Sequence, residues 1–441
     1  MNTTVKKKRV LQKTVLLSAL LAAQGIGLSP LAHGAEFEFN GYAGFEWREH
    51  FEEGQFNSPG TTQTDRYIGL TLEPELVWSL ADGEHTLVFK PFGRLDSADD
   101  QRTHSDIREL SWMTYGDDWE VTAGISKVYW GVTESQHLVD IVNQTDFVEA
   151  PDGEDKLGQP MIKLTAIRDW GTLTGFVLPG FRERTFPSDE GRFRTSLPMA
   201  INDAEYQAGE ENAHVDYALR WNNTIDDYDV GLSWFNGTSR DPLFLPSAIV
   251  ALAPSVFVPT KILPYYAQIN QLGVDAQATL GSWLWKFEGI YRSYDKSVKQ
   301  GFKTLGEQYN QNFGAEDYSA ATGGVEYTFY GPLETVWDWG ILAEYQYDSR
   351  DDAALTVGQN DLFLGSRIGF NDTASSELLA GISQDLDHGN THSVVLEYAT
   401  RLDGGITLNI DAFVLLSNDD DNISHTFKRD DYLQISVNYF F

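Results

Sequence analysis

The sequence predicts an all-β fold, a transmembrane up-and-down antiparallel β-barrel of about eighteen strands, on three observations. Segments of roughly ten residues alternate apolar and polar side chains at period two, which gives each an oily face and a wet face. The connections between them alternate long and short, as in a barrel with turns on one rim and loops on the other. Beyond the N-terminal segment no run of roughly 18 apolar residues could cross as a helix. The nearest candidate, 243–263, contains Pro246, Pro254 and Pro259 and reads as a loop. A mean hydropathy of −0.33 fits strands that present lipid-facing residues only at every second position.

In chain order, the first strand, 37–48, leads into a long polar loop to Asp65, and the second, 67–80, into the turn Ala81-Asp82-Gly83. The third, 85–95, opens an acidic loop to Ser105, and the fourth, 107–115, turns at Gly116-Asp117-Asp118. The fifth, 119–129, opens a loop that runs to Pro160, and the sixth, 161–168, turns at Asp169-Trp170-Gly171. Further long connections follow the seventh strand, Gly237 and Tyr294, with a moderate one from Asp348. Short ones fall before Tyr228 and at Gly281-Ser282, Gly331-Pro332-Leu333, Asn371-Asp372 and Asp403-Gly404-Gly405. The last strand, 432–441, sets Leu433, Ile435, Val437, Tyr439 and Phe441 against Gln434, Ser436 and Asn438.

That last strand, with its final Phe441 and an aromatic at Tyr439, resembles the C-terminal signature of bacterial outer-membrane barrels. The resemblance implies recognition of Tyr439 and Phe441 by the barrel assembly machinery and insertion among outer-membrane lipid and lipopolysaccharide of a Gram-negative cell. At the other end Lys6, Lys7, Lys8, Arg9 and Lys13 precede an apolar stretch, 15–23, and the small-residue exit Ala32-His33-Gly34-Ala35. This is the layout of a signal peptide over 1–35, leaving 36–441 as the barrel. Its removal takes away basic residues only, so the remainder is more acidic than the −33 of the whole chain, and nucleic acid is excluded as a partner. The absence of cysteine suits an oxidising envelope. The 12 Trp and 20 Tyr suit aromatic girdles at two membrane interfaces.

Period two assigns the wet face strand by strand. It turns Lys90, Arg94, Lys163, Arg220, Lys286, Arg292 and Arg367 inward with Glu109, Asp216, Asp275, Glu288, Glu344, Glu397 and Asp411. Such a mixed wall hydrates a lumen, and at this strand number the lumen is wide enough for water. A transverse field between basic and acidic walls is the sharper alternative.

Three loops carry candidate function. The third, 130–160, has apolar residues enough to fold against something, and in a wide barrel that is the inner wall. Folded inward it narrows the lumen, with Glu134, His137, Asp140, Asn143 and Asp146 at the constriction. The fourth interleaves Arg182, Arg184, Arg192 and Arg194 with aromatics. Their guanidinium forks suit carboxylate or phosphate, so the loop recruits anions, or else it is held closed by Glu183, Asp189 and Glu190. The fifth, 242–264, is too apolar to hang in water; it plugs the mouth, inserts as a short helix over 247–253, or receives a hydrophobic ligand.

Taken together, W-G-V-T-E-S and V-D-I-V-N-Q-T-D in the third loop, with P-G-F-R-E-R-T-F-P and G-R-F-R in the fourth, resemble a little-characterised family of proteobacterial porin-like outer-membrane proteins. They are more distantly similar to alginate-export-type barrels. The resemblance implies a solute channel and carries no substrate. The lumen lacks the predominantly basic wall of an alginate exporter, which argues against polyanions.

Enzymatic patterns are absent. Nine His include His388 and His392 four apart with no third ligand spaced for zinc, and no G-x-S-x-G or H-E-x-x-H occurs. The expectation is therefore no enzyme, no metal and no cofactor, but a passive channel for small solutes. A carrier of hydrophobic solutes that uses 242–264, or a non-conducting surface-binding barrel, is the alternative. The sequence does not choose between a monomer and a homo-oligomer.

Overall fold

The computed structural model describes residues 36–57, 61–253, 256–309, 311–354, 358–418 and 423–441; the expected signal peptide lies outside the described residues. Seven strands open the chain: β1 (Glu36–His50), β2 (Arg66–Leu80), β3 (His85–Asp96), β4 (Ser105–Tyr115), β5 (Trp119–Ser126), β6 (Gln159–Arg168) and β7 (Gly171–Pro179). After the two-residue β8 (Glu205–Tyr206) come β9 (Val215–Ile225) and β10 (Tyr228–Thr238). Four short strands follow, β11 (Leu243–Ser247), β12 (Val250–Ala253), β13 (Val256–Val258) and β14 (Lys261–Tyr266). Next are β15 (Gln268–Leu280), β16 (Trp283–Tyr294), the helix α1 (Lys296–Tyr309), β17 (Tyr318–Tyr330), β18 (Asp338–Asp348) and β19 (Asn360–Gly369). The chain ends with β20 (Glu377–Asp385), β21 (Thr391–Arg401), β22 (Ile406–Ser417) and β23 (Tyr432–Phe440).

Eighteen of these form one antiparallel sheet, each bonded to the next, with β7 beside β9 and β10 beside β15. The sheet closes because β23 pairs with β1 from Tyr42↔Phe440 to His50↔Tyr432, which leaves no edge. The period-two faces fall as the sequence requires. Ile162, Leu164, Leu219, Leu232, Leu272 and Ile341 are exposed on the outside, while the neighbouring positions Asp216, Ala218 and Glu344 are buried within. Tyr115, Trp119, Trp170, Tyr228, Trp283 and Trp337 are exposed around the short-turn rim, where a girdle belongs.

Four features differ from the periodic reading. β5 stops at Ser126, the last residue paired with β6, so the third loop begins earlier. On β4 a bulge leaves Arg108 without a cross-strand partner, because Lys90 faces Glu109 and the next residue, Pro91, faces Ile107. The connection after Tyr294 holds α1, whose Val298 and Phe302 are buried in the interior cluster, Phe302 against Tyr265 and Phe313. The apolar fifth loop is neither loop nor helix. β11 pairs with β14 and β12 with β13, making a hairpin arm, with Pro246 on the edge strand β11, where a missing N–H is tolerated.

The core lies inside the barrel. Trp130, Val139, Ile141 and Val142 of the third loop cluster with Met161, Phe176, Leu178, Ala218, Phe235, Ile269 and Ile290 of the wall. Part of the lumen is thereby filled by the protein itself.

Candidate functional site

Beside this core lies a cavity of about 1560 Å³. Its lining runs from Arg194, Arg350 and Phe427 near the long-loop rim to Gln277, Asn438 and Phe440 towards the short-turn rim. Residues 131–138 and 149–156 of the third loop form one side of it.

The loop is positioned by two kinds of contact. The stretch 138–157 is set by packing, since Val139 and Val142 are fully buried and Val139 lies over Gly273 of β15, where a side chain would meet it at 3.2 Å. Asn143 staples its ends: the amide donates to Ser126 O at 3.0 Å and Leu157 O at 2.9 Å and accepts Val128 N–H at 2.9 Å. The preceding stretch, 131–137, is held by polar groups. Glu288 of β16, fully buried, accepts Val132 N–H at 2.7 Å, Thr133 N–H at 3.0 Å and the Thr133 hydroxyl at 2.7 Å. Glu344 of β18 accepts Glu134 N–H at 2.9 Å, Ser135 N–H at 2.8 Å and the Ser135 hydroxyl at 2.6 Å. Consecutive backbone N–H groups thus converge on two carboxylates, the arrangement that binds anions in backbone nests. Gly131 has φ +138°, and a side chain there would lie 2.9 Å from the Glu288 carboxylate, so glycine permits the approach.

The five expected constriction residues separate accordingly. The Glu134 side chain pairs with Arg367 of β19 and, at 3.6 Å, with Lys286 of β16. His137 lies 3.1 Å from Glu154 and within 2.7 Å of the Tyr129 hydroxyl. Burial works against its charged form, but the bonds to Glu154 and Glu288 outweigh it and push the imidazole up to about 9. Burial pushes Asp140 up to about 6 against the pull of Lys156, 3.5 Å away. Asn143 is the staple, and Asp146 is buried on Arg108 at 2.6 Å with the Thr185 hydroxyl at 2.7 Å. Glu134, His137, Asp140 and Asn143 border the cavity.

The expected lumen residues find partners across strands. Lys90 pairs with Glu75 at 3.3 Å, Lys163 with Glu120 at 2.8 Å, and Arg220 with Asp275 at 2.8 Å above Trp130. Glu109 accepts from Ser111, and Arg292 joins Gln271 to Asp241. Arg94 bridges Glu46 at 2.9 Å and Glu149 at 2.7 Å. Burial pushes Glu149 up to about 7 against the pull of Arg94 and Arg102. Arg108 was not among the expected set.

In the fourth loop Arg182 pairs with Asp106, Arg184 with Asp241, and Arg192 with Asp65 and Asp430. Arg194 donates to the Thr195 and Phe56 carbonyls. The forks are engaged by the protein's own groups, as in a loop held closed, though by partners other than Glu183, Asp189 and Glu190. His104, Asp146 and Glu149 bring ligand-type atoms within 4.8 Å of one another. Arg108 and Arg94 already occupy the two carboxylates, which makes the group part of an ion network rather than a cation site.

No protein-family model matches the chain, and no curated protein matches it. Among solved structures, a double mutant of the Rh. blastica porin aligns over 92% of this chain and 100% of its own, at 12% identity and a TM-score of 0.42. A triple mutant of the Rhodopseudomonas blastica porin gives the same coverage and identity at a TM-score of 0.41. What the site does is therefore argued from its own geometry.

Proposed function

We propose that the chain is an outer-membrane channel through which small polar solutes pass passively, with the segment 130–160 folded inward as its constriction. The observation that carries this reading is the cavity whose lining extends from Arg194 and Phe427 to Gln277 and Phe440, along most of the strand length. Charged side chains of both signs, among them Arg48, Glu134, Lys286, Asp361 and Asp411, stand on that lining between apolar ones, which suits hydrated solutes, and the outward aliphatic face with its aromatic rim suits a bilayer. The arm buries Leu243 and Leu263 but exposes Ile249 and Val250, and that exposed apolar pair is what a hydrophobic-carrier reading would use. Swelling of proteoliposomes in sugars of graded size tests the proposal: entry falls with solute size if the passage is a sieve, and folded protein that admits no sugar refutes it.

A further inference from the structure

We infer that the third loop is built in two parts, a fixed anchor and a detachable tongue, and that Glu288 and Glu344 are positioning residues which set the bore by holding the tongue to the wall. The inference rests on the channel reading and adds to it the groups that define the opening.

The division follows from what each part spends on its docking. The anchor buries Val139, Ile141 and Val142 in the interior cluster and closes on itself through Asn143; its Val139 N–H also donates to Glu288 at 3.2 Å, so Glu288→Gln reports on the tongue only where the anchor is locked. Releasing it would expose that apolar surface to water. Residues 131–137 contribute nothing to that cluster. Their attachments are hydrogen bonds and ion pairs to four adjacent strands: Glu288 and Lys286 on β16, Thr322 on β17, Glu344 on β18 and Arg367 on β19. Both carboxylates are buried beneath the tongue and regain water when it lifts, whereas the anchor's apolar side chains would only be exposed, so the tongue is the part that comes away. It also borders the cavity along its length, so its displacement changes the cross-section directly.

The absence of cysteine allows the two parts to be tested separately. A side chain at Gly273 would place its Cβ 3.7 Å from that of Val139, within disulfide range. Val139→Cys with Gly273→Cys, and Ser233→Ala to clear the neighbouring hydroxyl, therefore locks the anchor on oxidation. In that background Glu344→Gln and Glu288→Gln are compared with the locked parent by single-channel recording in planar bilayers. Thr133→Val with Ser135→Ala removes donors from the loop side and leaves the wall intact, which keeps the test available if a wall variant does not fold. The expected result is loss of the parent's single conductance level, with larger levels appearing whether the disulfide is oxidised or reduced. An unchanged single level in all variants overturns the inference, as do extra levels seen only after reduction, which would make the anchor the moving part. A folded parent that never conducts refutes the channel reading itself, and the inference falls with it.

Discussion

Arg108 illustrates what a single residue does here. Its side chain is buried, its guanidinium lies 2.6 Å from Asp146 and 4.0 Å over the Phe92 ring, and it ties the third loop to β4. Arg108→Ala leaves Asp146 buried without its ion pair and is expected to cost about 3–5 kcal/mol, measured by urea unfolding of the refolded barrel. Alternation alone assigned Glu109 to the lumen and passed over its neighbour, because a bulge turns two successive residues the same way. Pro91 on the facing strand is the visible trace, since a proline has no N–H for the ladder. His137 sets a pH dependence. Its value, raised from 6.5 to about 9, means the pair with Glu154 stabilises fully below about 6.5 and is lost as pH rises through about 9. Limited proteolysis of 127–158 should accelerate between pH 7 and 10, and His137→Gln should flatten that profile.

At the scale of elements, the strands and short turns were legible because period two and turn residues act locally. The third loop's inward course could be expected from its apolar content, yet the roles within it could not, since they depend on which wall residues lie opposite. Asn143 is expected at the constriction beside Asp140 and Asp146; it borders the cavity, and its three bonds give it the further role of a staple. Asn143→Ala is expected to destabilise the loop by about 2–3 kcal/mol, seen as faster proteolysis of 127–158 with β-sheet content retained. The arm escaped sequence reading because prolines in an apolar run look like punctuation, while Pro246 is accommodated on the edge strand β11. Deleting 248–259 should leave conductance unchanged; a selective loss of hydrophobic uptake would favour the carrier reading.

For the whole molecule, closure by β23 on β1 leaves the eighteen-stranded sheet without an edge and makes the inside a compartment of its own. That compartment holds both core and cavity, a partition that no strand pattern encodes because it arises from a loop folding into the lumen. Strand number and the sense of each face follow from alternation; the filling follows from tertiary packing. The acidic balance of the chain, −33, biases any passage towards cations. The most direct measurement is single-channel conductance of the refolded protein in planar bilayers under a salt gradient. Discrete, stable steps with cation preference are the predicted result, and a correctly folded barrel that remains silent would contradict the account.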